Sequence, residues 1–203
     1  FLSTRGIKMK VMIKSVLIFL AFLSVPLSAK KKAELNVVNS VDLEKYKGKW
    51  HQIAAIPAFF QRKCTRNTTA EYVLKDGLID VINTCEKENG EKIVSNGGAR
   101  IDPKYKNSAK LQVSFVKILK RWIWIFGGKY WVMDLGEAKN QYTHSIVGEK
   151  KRKYLWILSR EKTMSQAKLI ELRTKIEKEG YDTCKIMISQ EGKLKGKKLC
   201  ELK

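Results

Sequence analysis

The sequence predicts an all-β chain: an eight-stranded antiparallel up-and-down β-barrel with one C-terminal α-helix packed outside. Eight short β-patterned runs separated by turn residues carry the barrel, and one segment with three- and four-residue apolar spacing carries the helix. At 203 residues, 44% hydrophobic and 30% charged, the chain suffices for one substantial core and is short for two.

The first element is a leader. The chain opens on Phe1, with Met9 or Met12 as the expected start. From there Lys10 and Lys14 form a basic region, residues 15–25 an apolar one, and Leu27-Ser28-Ala29 a small-residue cleavage site. An apolar stretch this short falls below the roughly 17 to 25 residues of a spanning helix, so cleavage after residue 29 is expected. The expected division is a signal segment 1–29, a barrel domain 30–190 and a basic, loose tail 191–203. No cysteine lies near the cleavage point for lipid attachment, so a periplasmic or secreted product follows. Losing residues 1–29 removes four basic residues and no acids, lowering the net charge from +21 to +17.

The β-patterned runs are 50–56, 69–74, 78–84, 92–101, 110–116, 129–135, 142–148 and 154–159. Asp76-Gly77 between the second and third suits a two-residue hairpin turn, whose central positions both want positive φ. Lys75 then faces Leu78 and Tyr72 faces Val81. Alternation turns Ala54, Tyr72, Val81, Leu111, Val113, Phe115, Trp131, Met133, Tyr154 and Trp156 inward. Between the fifth and sixth runs, residues 117–126 read Lys-Ile-Leu-Lys-Arg-Trp-Ile-Trp-Ile-Phe. A hairpin extension there exposes one apolar face whichever way it turns, and Trp122, Trp124 and Phe126 beside Lys117, Lys120 and Arg121 suit an anionic membrane surface. The contrary reading folds this extension back over the barrel mouth or buries it in a dimer contact. After the barrel, Ser165 is the expected N-cap and Gly180 the C′ residue of a helix with Leu169, Leu172 and Ile176 on one face. A short strand at 185–189 follows.

Gly48-Lys49-Trp50 opens the first strand, and Tyr154-Leu155-Trp156-Ile157-Leu158-Ser159-Arg160 closes the eighth. With Asp42-Leu43-Glu44-Lys45-Tyr46 before the first motif and Asn67-Thr68-Thr69-Ala70-Glu71-Tyr72 in the second strand, the chain over about residues 36–190 resembles the lipocalins, in particular the bacterial outer-membrane lipocalin and apolipoprotein D subfamily. That resemblance implies that Trp50 plugs the closed end of the barrel, that Arg160 stacks across it, and that Gly48 lets the chain pass close by. It also implies a binding protein for a small apolar ligand, with no cofactor.

Export favours disulfides over metal ligation for Cys64, Cys85, Cys184 and Cys200. Register brings the segment before Thr68 near Cys85, pointing to Cys64–Cys85 and Cys184–Cys200. The alternative, Cys64–Cys200, is the one the resemblance to apolipoprotein D implies. Spacing alone does not choose.

The expected function is carriage of a fatty acid, lysophospholipid or similar amphiphile by a monomer or weak dimer, with Tyr72, Val81, Leu111, Val113, Phe115, Trp131, Met133, Tyr154 and Trp156 as candidate ligand contacts. Two alternatives remain. The basic balance admits a polyanion, although the lysines are scattered rather than gathered on a nucleic-acid motif, so no nucleic-acid partner is expected. An enzyme acting on a lipophilic substrate requires His51 or His144 to face inward beside a carboxylate, and no phosphate loop, zinc spacing or nucleotide fingerprint accompanies them.

Overall fold

Turn chemistry and alternation set the sheet. The computed structural model describes residues 34–203, so the expected leader lies outside the described residues. The strands are β1 (Gly48–Ala55), β2 (Arg66–Lys75), β3 (Leu78–Glu86), β4 (Lys92–Ile101), β5 (Lys110–Ser114), β6 (Lys117–Ile118), β7 (Arg121–Trp122), β8 (Gly128–Glu137), β9 (Tyr142–Gly148), β10 (Leu155–Ser159) and β11 (Met187–Ile188). Eight of them, in the order β10-β9-β8-β5-β4-β3-β2-β1, form an antiparallel sheet that closes through β10 pairing with β1. Closure leaves no long open edge. β11 adds outside the ring, pairing with Ala54 and Ala55 of β1. Asp76 and Gly77 both adopt positive φ, and Tyr72 faces Val81 as the hairpin register requires.

The closed end is built around a lead-in helix, α1 (Leu43–Tyr46), whose N-cap Asp42 accepts hydrogen bonds from the amides of Glu44 and Lys45. Gly48 follows at φ +90°, a conformation that favours glycine, and turns the chain up into β1. The opposite, open end carries the β1–β2 and β5–β8 connections.

α2 (Gln166–Lys178) starts at the Ser165 cap and buries Leu169, Leu172 and Ile176. Outside the barrel wall these pack with Ile53, Trp131, Ile146, Leu155 and Ile157. The disulfides are Cys64–Cys85 and Cys184–Cys200, not Cys64–Cys200. The expectation of a loose tail is not met: Leu199 and Leu202 are buried, Arg173 Nη1 donates to the Leu202 carbonyl at 2.7 Å, and Cys200 is tied to Cys184. Lysine content hid two apolar anchors there. The final strand is also shorter than the expected 185–189, because residues 183–185 form a 3-10 turn capped by Asp182.

Candidate ligand-binding site

The barrel interior begins on a floor made by Trp50 and Arg160. Trp50 is fully buried, its indole N–H donates to the Tyr46 carbonyl at 2.8 Å, and the Arg160 guanidinium lies 3.8 Å from its ring centroid. Arg160 also donates to the carbonyls of Lys45, Tyr46, Lys47, Lys49 and Tyr142, from 2.8 to 3.3 Å. Floor, lead-in helix and β9 are thereby held by one side chain.

Above the floor, Tyr72, Leu111 and Val113 line a cavity of about 20 Å³ together with Val41, Leu43, Tyr46, Lys47, Leu74, Ile79, Ala99, Tyr130 and Val132. That volume suits about one water molecule. Val81 belongs to the same inner cluster, and Trp156 packs against it. Tyr154 stacks on Trp156 with centroids 5.9 Å apart, and Phe60 meets Tyr154 at 5.7 Å. Phe60 in turn makes an edge contact with Phe59 at 5.3 Å. Aromatic rings therefore run from inside the wall to the rim. Phe115 stands at the mouth, half exposed, with its ring over Gly97, where a Cβ would come within 2.7 Å of it.

Four hydroxyls meet inside the barrel. Tyr46 Oη donates to Ser145 Oγ at 3.0 Å and lies 2.8 Å from Tyr130 Oη, which lies 2.9 Å from Tyr72 Oη. Burial pushes the Tyr46 phenol up to about 12 and raises Tyr72 and Tyr130 as well, so all three stay neutral at physiological pH.

Ala54, Trp131 and Met133 are not inside. They pack on the outer wall beneath α2, where Trp131 is fully buried and meets Tyr105 edge-on at 5.2 Å. A bulge between Gln52 and Ala54 turns Ala54 outward. In β8 both parities are apolar, and the helix-covered wall takes Trp131 and Met133 while Tyr130 and Val132 face in.

The expected membrane loop is also rearranged. β6 and β7 form a small hairpin, with a 3-10 turn at Trp124–Phe126. The hairpin folds back along the barrel's outer face: Trp122 covers Gly98, and Trp124 stacks under Arg100 at 4.3 Å. Trp122 and Trp124 are therefore half-buried. The most exposed apolar residues of this connection are Leu119 at 92%, Ile125 at 85% and Phe126 at 71%, ahead of Ile118 at 55%, so only Phe126 of the three expected residues keeps its exposure. Phe59 and Phe60 project from the β1–β2 connection at the same end. Two adjacent phenylalanines before Arg62-Lys63 were a signal in the sequence that strand patterning passes over.

His144 meets a carboxylate, but outside. Its Nε2 lies 3.0 Å from Asp134 Oδ2, and Lys175 of α2 donates to Asp134 Oδ1 at 2.8 Å. His51 has its pKa lowered by burial, with Lys49 and Lys162 adding to the effect. Neither matches the inward pair that catalysis on a lipophilic substrate requires. Among the described residues no cluster of three or more metal-type ligands occurs.

Residues 41–191 match the family model of the lipocalin-like domain. The chain is a lipocalin. It is 35% identical over 157 residues to temperature-induced lipocalin-1 of Arabidopsis thaliana, covering 77% of this chain and 82% of that protein. To the outer membrane lipoprotein Blc of Escherichia coli it is 30% identical over 159 residues, covering 78% and 84%. Among solved structures, insecticyanin from the tobacco hornworm Manduca sexta superimposes with a TM-score of 0.60 at 22% identity, covering 83% of this lipocalin and 90% of that chain. At such identity the likeness speaks to the fold. The floor of this lipocalin is the Trp50–Arg160 stack.

Proposed function

We propose that this lipocalin carries a single-chain amphiphile, a fatty acid or lysophospholipid, in the barrel and exchanges it at an anionic membrane. Lipocalins generally bind and transport small hydrophobic molecules. The observation that carries the narrower reading is the apolar inner wall of Tyr72, Val81, Leu111, Val113 and Trp156, which continues through Tyr154 and Phe60 into an exposed apolar rim. The lower cavity is small, so an acyl chain occupies the space between the hydroxyl group and the rim and displaces rim side chains on entry. Burial of about 0.8 kcal/mol per methylene supplies the driving force. No catalytic step is needed, and the two disulfides fit an oxidising periplasmic or extracellular setting.

Mass spectrometry of lipids that co-purify with the protein, paired with displacement of a fluorescent fatty acid, tests this. The expected result is a bound single-chain lipid and full displacement by free fatty acid at micromolar concentration, roughly −8 kcal/mol. No lipid and no displacement sinks the proposal.

A further inference from the structure

The four buried hydroxyls have a direction. Tyr46 commits its one phenolic proton to Ser145 Oγ, so across the 2.8 Å contact Tyr130 must be the donor and Tyr46 the acceptor. Tyr130 has then used its own proton, and across the 2.9 Å contact Tyr72 donates to Tyr130. Every phenolic proton points toward Ser145. The chain begins at Tyr72 Oη, whose proton is given away and which receives no donor among the described residues. An oxygen with lone pairs to fill is thus buried in an apolar barrel.

Two cations come near it, and both are already engaged. Arg160 lies on the floor with its donors on five carbonyls, and the Lys47 ammonium is 2.6 Å from Glu44. Tyr46, Tyr72 and Tyr130 all line the cavity above the floor, which puts the hydroxyl group on its wall.

We propose that this hydroxyl chain is the polar end of the ligand site, and that it takes a ligand terminus donating to Tyr72 Oη, an alcohol or un-ionised carboxyl, in preference to an anionic head. The inference rests on the carrier reading above and narrows it to amphiphiles bound with a neutral polar end innermost. A carboxylate is an acceptor only and would face the lone pairs of Tyr72 unless all three hydrogen bonds reversed. A phosphodiester head meets the same obstacle and is bulkier.

Titration of tryptophan emission with dodecanol, dodecanoate and a twelve-carbon lysophosphatidylcholine, from pH 5 to pH 9, provides the test. At pH 8 the alcohol should bind roughly tenfold more tightly than the carboxylate, about what one hydrogen bond supplies. The gap should narrow as pH falls and the acid takes up its proton. Tyr72→Phe keeps the ring and removes only the terminal hydroxyl, and it should bring the alcohol-to-acid ratio below about twofold. The wild-type pH profile stands on its own if that variant folds poorly. Equal affinity for all three ligands at pH 8, or an unchanged ratio in Tyr72→Phe, overturns this inference and leaves the carrier standing. Binding of none overturns both.

Discussion

Arg160 holds backbone from three places at once: the lead-in helix, the start of β1 and the start of β9. Its guanidinium fork supplies several donors and a flat face for Trp50, and a lysine can copy the charge without the geometry. Arg160→Ala should therefore lower unfolding free energy by about 2–4 kcal/mol, as a stacked contact and several charge-assisted hydrogen bonds go together. Arg160→Lys should restore less than half of that. Urea denaturation of the three proteins measures it, and an alanine variant within about 0.5 kcal/mol of wild type contradicts the role. This pair was legible in the sequence, since the motif positions of Trp50 and Arg160 bracket the strands. The hydroxyl group was not, because it joins Tyr46, Tyr72, Tyr130 and Ser145 from α1, β2, β8 and β9, and only closure of the barrel brings them together.

At the scale of elements, α2 is docked by apolar side chains and by one polar clamp at Asp134. Burial alone would raise that carboxyl, but hydrogen bonds from His144 and Lys175 prevail and hold it below its ordinary value. A carboxylate so depressed adds stability that is fully present above the unfolded value of 3.8 and drains away as pH falls through the folded one. Asp134→Asn should cost about 1 kcal/mol at pH 7, modest because Lys175 is half exposed, and progressively less below pH 3.8. Denaturation of wild type and variant at pH 7 and in acid measures this, and a pH-independent difference contradicts it. The strands, the Asp76-Gly77 register and the helix stripe were readable because each is a local pattern. The facing of β8 was not: Tyr130 and Val132 alternate with Trp131 and Met133, all apolar, and periodicity alone does not say which wall the helix covers. The β1 bulge at Gln52/Ala54 defeats strict alternation in the same way.

For the whole molecule, charge and exposed apolar surface coincide at the open end. Leu119, Ile125 and Phe126 on one connection, and Phe59 and Phe60 on another, stand among exposed Lys117, Lys120, Arg121, Arg62 and Lys63. Rings and aliphatic chains at headgroup depth beside cations favour an anionic interface. A Leu119→Ser, Ile125→Ser, Phe126→Ser variant should lose most of its sedimentation with anionic vesicles, by about tenfold or more in partition coefficient, given the area removed from lipid contact. Equal partitioning of both proteins removes the rim from the mechanism. The half-buried Trp122 and Trp124 make a tryptophan variant the poorer test.

β1 pairs with β2 at its start, with β10 from His51 to Ala55 and with β11 near its end. Its last partners are thus drawn from the far end of the polypeptide, and Ser189 and Gln190 both donate to the Ile53 carbonyl. During synthesis, β1 waits for almost the entire remainder of the chain before its hydrogen bonds can be completed. Contacts so distant along the chain make closure slow. Until then a bare strand edge is open to other chains. Recovery of the folded protein should consequently depend on keeping nascent copies apart until residues 155–190 arrive, which makes chain concentration during refolding, rather than final stability, the quantity that limits yield.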